Sequence, residues 1–315
     1  MKLYKPHVFQ GNFKKTTYFE GWYYKLVDPS IGLSLCLIAG VAIDGDPHGF
    51  IQYADSITGT SGYARYTLEE LDFSQQSLVL QIGKHTLTDR HIDLHADDKI
   101  PYDIDVSISN HVSYPVSITH PGIMGPFRFA PFMECYHGVH LITSSVEGTV
   151  TIEGETHKLE NAKLYLEKDW GKSFPREWIW LEAGAFEEEN VHLMFSVANI
   201  PWIGKAFNGH LGYVWLGETR IGLGTYRNSH YSLEEDDDKI ILAVAKGKYH
   251  IVITAQQRTP IDLVAPSLGN MTRKMKEDLN GLVSLEVYKD SELVYKGTSE
   301  YAGIERCGDI DRLKG

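Results

Sequence analysis

Alternation with a period of two runs through this chain from one end to the other, and no other feature narrows the available folds as much. β-Branched and aromatic residues fall on one parity and polar residues on the other, with turn residues interrupting each run. Strands that bury one face and wet the other produce this pattern. Residues 191–197, 239–244 and 249–254 are clear examples. One stretch hints at a short helix, residues 270–279, where Met271, Met275 and Leu279 recur four apart and Gly281 stands ready to end it. An irregular connection is the other reading of the same stretch. With 315 residues and no short internal repeat, the chain is expected to be all-β. The expectation is two consecutive antiparallel barrels or sandwiches with few or no helices, divided into residues 1–160 and 161–315.

Charge and cysteine usage exclude several classes of function. The 42 acidic residues outnumber the 30 basic ones, a formal net charge of −12, which opposes tight binding to a phosphate backbone, so nucleic acid is not an expected partner. Cys36, Cys135 and Cys307 are widely spaced and odd in number, so no disulfide framework or CxxC motif is present and a reducing compartment is expected. The start lacks the apolar stretch of a secretory signal, and the longest such run, residues 33–43, is too short to span a bilayer, so a cytoplasmic location is expected. Neither a GxSxG elbow, a P-loop nor a dinucleotide fingerprint occurs.

Charge runs at 187–190 and 234–238 separate apolar strands and read as hairpin tips. The stretch from Tyr114 to Pro131 carries Pro115, Pro121, Pro126 and Pro131 among Ile123, Met124, Phe127 and Phe129. It resists regular structure while staying apolar, as a pocket-mouth loop or a buried connection would. Fourteen histidines invite a metal reading. His137 and His140, three apart, point to opposite faces of a strand, however, and His91, Asp93, His95 and Asp97 share a polar face behind Ile92 and Leu94, so no metal site is expected.

Three segments place carboxyls among aromatic rings. On an extended Tyr18-Phe19-Glu20-Gly21-Trp22-Tyr23-Tyr24-Lys25-Leu26, the residues Glu20, Trp22, Tyr24 and Leu26 share a face. A carboxyl facing a barrel interior would be held protonated by desolvation and could act as a general acid; a tie to a nearby Lys or Arg is the alternative. In Tyr165-Leu166-Glu167-Lys168-Asp169-Trp170-Gly171, one face carries Tyr165, Glu167 and Asp169 and the other Leu164, Leu166 and Trp170. Two adjacent carboxyls repel, so they could supply an acid and a base, or grip a basic side chain. Downstream, Trp178, Trp180, Glu182 and Phe186 fall on one parity, either lining a pocket for a flat or unsaturated ligand or forming an aromatic core.

These segments resemble the tocopherol cyclase family. The early motif reads Tyr18-Phe19-Glu20-Gly21-Trp22-Tyr23-Tyr24, and the central one runs from Glu167-Lys168-Asp169-Trp170-Gly171 through Phe174-Pro175-Arg176 to Trp178-Ile179-Trp180. Lys5-Pro6-His7 with Phe9, Leu263-Val264-Ala265-Pro266-Ser267 and Tyr301-Ala302-Gly303-Ile304-Glu305 extend it in the same order. Asp169 stands where the family carries Asn, and the middle of the first half matches poorly. The resemblance implies two tandem lipocalin-like barrels and closure of a chromanol ring from a prenylated quinol without a redox cofactor. Protonation of an alkene to a tertiary cation, captured by the phenol oxygen, needs a carboxylic acid in a dry site with aromatic faces nearby. The candidate acids are then Glu20, Glu167 and Asp169, and the candidate lining is Trp22, Tyr24, Trp170, Trp178, Trp180 and Glu182. Capture by water instead would make a hydratase, as in the carotenoid hydratases to which this family is similar in fold. A non-catalytic carrier of an apolar small molecule is the rival of a different class. An apolar ligand implies transient contact with a membrane surface for uptake.

Overall fold

The computed structural model describes residues 2–314 apart from positions 132, 203 and 237. It is built almost wholly from antiparallel strands, and among the described residues the helical elements are short 3₁₀ turns. Eleven strands form the first sheet: β1 (Tyr18–Asp28), β2 (Leu33–Ile43), β3 (His48–Asp55), β4 (Ser61–Tyr66), β5 (Leu71–Phe73), β6 (Val79–Ile82), β7 (His85–Thr88), β8 (His91–Leu94), β9 (Tyr102–Ser113), β10 (Cys135–Ile152) and β11 (Glu155–Gly171). Their order is β4-β3-β2-β1-β11-β10-β9-β8-β7-β6-β5, so a meander of hairpins is closed by β1 pairing with β11, and the sheet comes close to a full barrel. Inward residues of all eleven strands, from Trp22, Leu35 and Ile51 to Ile104, Val146 and Leu164, fill its interior as one apolar cluster.

The second sheet contains β12 (Trp178–Ala183), β13 (Val191–Trp202), β14 (Lys205–Leu216), β15 (Thr219–Gly224), β16 (His230–Asp236), β17 (Lys239–Lys246), β18 (Tyr249–Gln256), β19 (Ile261–Ser267), β20 (Asn270–Lys289) and β21 (Glu292–Cys307). Its order is β15-β14-β13-β12-β21-β20-β18-β17-β16, with β19 on β20. Ile179, Leu181, Phe195, Leu242, Ile253 and Leu285 belong to its separate core.

The all-β, two-sheet expectation holds, with differences in detail. The segment 270–279, expected as a short helix or an irregular connection, is the start of β20. A spacing of four is also a multiple of two, so the same residues fit a strand, and Val283, Leu285 and Val287 alternate into the core beyond a bulge between Asp278 and Gly281. The expected boundary at residue 160 lies inside β11. The compact units are 1–174 with 263–274, and 175–262 with 275–315. The segment 263–274 is fixed to the first unit by Gln52, whose Oε1 accepts from Val264 N at 2.8 Å, and by Phe174 N donating to Pro266 O at 3.2 Å. The acidic run at 187–190 joins β12 to β13 as a tip should, whereas Glu234, Glu235 and Asp236 still pair within β16. No helix among the described residues is long and apolar enough to cross a membrane.

Candidate active site

Directly paired residues of antiparallel strands present their side chains on the same face of a sheet. The pairing of β1 with β11 therefore settles which candidate residues meet. Glu20 lies beside Trp170 and Trp22 beside Lys168, on the inward face; Gly21 lies beside Asp169 and Tyr23 beside Glu167, on the outward face. The three candidate acids are thus divided between opposite faces: Glu20 on one, Glu167 and Asp169 on the other. Trp22, Tyr24 and Trp170 belong to the packed interior, Trp22 with 0% exposure.

At the inward face, Glu20 is an acceptor on every side. Its Oε1 receives Gln10 N at 2.7 Å and Lys168 Nζ at 2.5 Å; its Oε2 receives Gly11 N at 2.9 Å and Tyr18 Oη at 2.6 Å. A carboxyl holding a proton for delivery would have to turn a donor toward these donors, so the geometry is that of an ionic latch and not of a general acid. Lys168 completes the latch by donating to Val8 O at 2.6 Å, with its ammonium 4.7 Å from the Trp22 ring and 4.6 Å from the Trp170 ring. Burial lowers the Lys168 pKa to about 8 despite the opposing pull of Glu20. Trp22 Nε1 donates to His7 O at 2.7 Å, and Phe9 packs near Trp22 and Phe73. The Lys5-Pro6-His7 and Phe9 echo is therefore a strap held against this end of the barrel by the early motif.

At the outward face the register runs His137, Asp169, Gly21, Gly40, Phe50 in one row and Val139, Glu167, Tyr23, Ile38, Gln52 in the next. Gly40 has a local reason: a Cβ there would lie 2.6 Å from the Phe50 ring and 2.4 Å from Glu20 O. Phe50 can consequently lie flat against the sheet near the acidic row. His137 Nδ1 is 3.0 Å from Asp169 Oδ1, and its Nε2 is 3.3 Å from Glu167 Oε2. Only the first contact has hydrogen-bond geometry; the second is a close ionic approach. Tyr165 Oη donates to the same Glu167 Oε2 at 2.5 Å, and the Cys135 thiol donates to Asp169 at 3.7 Å.

Electrostatics separates the roles within this cluster. Burial opposes the His137 imidazolium, but Glu167 and Asp169 on its two nitrogens outweigh it and hold its pKa well above the ordinary value. Burial pushes the Glu167 pKa up and Asp169 adds to that, while His137 and Tyr165 pull it back. Burial, reinforced by Asp169, also raises the Cys135 thiol. One imidazolium between two carboxylates leaves a single excess negative charge in a water-poor place, and a proton on Glu167 cancels it. The nitrogen and the two carboxylate oxygens lie within 4.8 Å of one another, a spacing that could also hold a metal ion.

The sequence pattern gives His137 no link to these carboxyls. His140, three residues on, goes elsewhere, to Asp89 at 3.1 Å and against the His7 ring. The partners of His137 lie about thirty residues downstream on the neighbouring strand, and only the β10–β11 register brings them together. Because raised pKa values belong to groups that bind protons more tightly in the folded state, the cluster stabilises the first unit at low pH and loses that contribution as pH rises. For His137 the loss begins near pH 6.5, its unfolded value, so the wild type should lose stability relative to His137→Gln as the pH is raised from there toward the mildly alkaline range. Parallel denaturation curves over that range test this; parallel pH dependences in the two proteins would contradict it.

In the second unit, Trp178, Trp180 and Glu182 share one face of β12, while Ile179, Leu181 and Ala183 enter that unit's core. The indole stripe thus lies on the face of the sheet turned away from that unit's core, yet both rings are buried. Trp178 Nε1 donates to Glu305 at 2.6 Å. Glu182 Oε1 meets His192 Nε2 at 2.9 Å, and His192 Nδ1 lies 3.1 Å from Tyr213 Oη. Phe186, on the same sequence parity, leaves the stripe after β12 ends at Ala183 and packs in the core.

Comparison with known proteins bears on residues 94–200, which match the tocopherol cyclase-like family. That stretch contains the His137, Glu167 and Asp169 cluster and the indole stripe. A probable chloroplastic tocopherol cyclase of Oryza sativa subsp. japonica is 30% identical over 89 residues, and the chloroplastic tocopherol cyclase of Zea mays 36% identical over 89. Each alignment spans 28% of this chain and 17% of the relative's length. The resemblance read from the motifs is thereby shown, over about a third of the chain. Among solved structures, a putative AttH from Nitrosomonas europaea superposes with a TM-score of 0.55 at 13% identity, covering 91% of this chain and 92% of that one. Kievitone hydratase from Nectria haematococca gives 0.50 at 11% identity, covering 96% and 94%. These establish a shared lipocalin-like fold.

Proposed function

We propose that this protein is a tocopherol cyclase-like acid catalyst that protonates an alkene of a prenylated quinol or similar isoprenoid and directs internal capture of the resulting cation. The observation that carries the reading is the buried Glu167 carboxyl, set between the Tyr165 hydroxyl and the His137 ring and raised in pKa by burial. Glu167 gives its proton to one alkene carbon, and the π pair forms the new C–H bond, leaving a tertiary cation. The cluster, now one negative charge in excess, stabilises that cation electrostatically. The phenol oxygen attacks the cation, loses its proton, and that proton restores Glu167, so the net reaction is an isomerisation. His137 and Asp169 act as positioning residues that hold the ring and its charge against Glu167. No step requires a redox cofactor. In the second unit, taken by itself, the face that carries Trp178, Trp180 and Glu182 is proposed as a surface for an unsaturated ligand.

A hydratase reading shares the first step and differs in the nucleophile; the fold held in common with kievitone hydratase favours keeping it as the second reading. Purified protein incubated with a panel of prenylated quinols and followed by mass spectrometry separates the readings. A product of unchanged mass and new chromatographic position is expected for cyclisation, and a product heavier by one water marks hydration. Saturable binding across the panel with no turnover would overturn both in favour of a carrier.

A further inference from the structure

In a chain of net charge −12, residues 1–19 and 106–133 contain no Asp or Glu, while they carry Lys2, Lys5, Lys14, Lys15 and Arg128. The fold brings these two acid-free segments together at one end of the first unit. Tyr4 Oη donates to Ile118 O at 3.5 Å, Arg128 donates to Gln10 Oε1 at 2.8 Å, and a Cβ on Gly122 would stand 3.7 Å from the Pro6 ring. The neighbouring Asp89 is engaged by His140. On the same segments, Ile118 is 81% exposed, Phe129 49% and Val116 41%. Exposed aliphatic and aromatic side chains on a loop stiffened by Pro115, Pro121, Pro126 and Pro131 recover their hydration cost only when something apolar covers them.

We infer that this end of the first unit docks on an anionic lipid bilayer. Val116, Ile118 and Phe129 enter the boundary between headgroups and acyl chains, and Lys2, Lys5, Lys14 and Lys15 face the lipid phosphates. The mixture argues for lipid. A few apolar side chains give only marginal attachment by themselves, and a cluster of lysines supplies the second, electrostatic contribution that makes interfacial binding stable. The overall negative charge would repel such a surface everywhere except where acids are missing. The inference is independent of the chemistry at Glu167, because it concerns attachment and not turnover.

Flotation of the full chain with vesicles is the test. Binding is expected to phosphatidylcholine vesicles containing phosphatidylglycerol, weakly or not at all to phosphatidylcholine alone, and to fall with added salt. The V116S/I118S/F129S variant should lower partitioning at least about thirtyfold, and the K2E/K5E variant about tenfold or more. An L293S/V294S variant, which alters exposed residues of the second unit, should partition as wild type. Circular dichroism confirms that each variant is folded. No flotation with phosphatidylglycerol, equal flotation on neutral and anionic vesicles, or equal loss in the L293S/V294S control would overturn the inference.

Discussion

Lys168→Met is expected to destabilise the first unit by about 3–5 kcal/mol, the cost of stranding a buried charge whose partner has been removed. Glu20 is fully buried and would keep its two backbone donors and the Tyr18 hydroxyl but lose the ammonium that balances its charge. The methionine fills much of the space between Trp22 and Trp170, so little of the loss would come from packing. The strap from Lys5 to Phe9 would loosen with it, because Val8 O loses its donor as well. Lys84→Met is the comparison: its ion pair with Asp97 is half exposed, and pairs of that kind contribute about 0–1 kcal/mol. Urea denaturation of the two variants, with limited proteolysis of the strap, measures both effects. A loss below about 1 kcal/mol for Lys168→Met would show that Glu20 is not held as an ion in the folded protein.

That latch also shows how far the sequence can be read. Alternation identified the strands and sorted side chains correctly by face: Glu20 with Trp22 and Tyr24, Tyr165 with Glu167 and Asp169, Trp178 with Trp180 and Glu182. Parity says which residues share a face, and it is silent on which face is the interior. In β12 both faces are buried, so Ile179, Leu181 and Ala183 compete with the indoles for the core and no polar stripe decides between them. In β11 the opposite faces each carry a charge, Lys168 on one and Glu167 with Asp169 on the other, and only the partner strands distinguish a latch from an acid site. Strand length hid the division of the chain, since β11 runs seventeen residues and β20 twenty, beyond the usual length of a strand, and the division into two units cuts through β20. The family resemblance singled out the early and central segments separately, and the β1–β11 pairing is what brings their residues together.

Glu167→Gln should lower turnover by about a hundred- to ten-thousandfold while leaving the fold intact, because an amide of the same shape cannot release the proton. The amide is neutral like the protonated carboxyl that it replaces, leaving one imidazolium against one carboxylate, so no loss of stability near neutrality is expected. In the wild type the rate should fall about tenfold for each pH unit above the apparent pKa of the cluster, since Glu167 acts only while protonated and burial places that value above the ordinary carboxylate range. Asp169 offers the contrast. It touches His137 and the Cys135 thiol and not the Tyr165 hydroxyl, it is the more exposed of the two carboxyls, and the family that this segment resembles carries Asn in its place. Asp169→Asn should therefore keep turnover within about tenfold of wild type, as expected of a positioning residue rather than the proton source. Initial rates with a prenylated quinol across pH, measured for both variants, decide the assignment. The opposite ranking, with Asp169→Asn inactive and Glu167→Gln active, would move the acid to Asp169 and make Glu167 the residue that holds the ring.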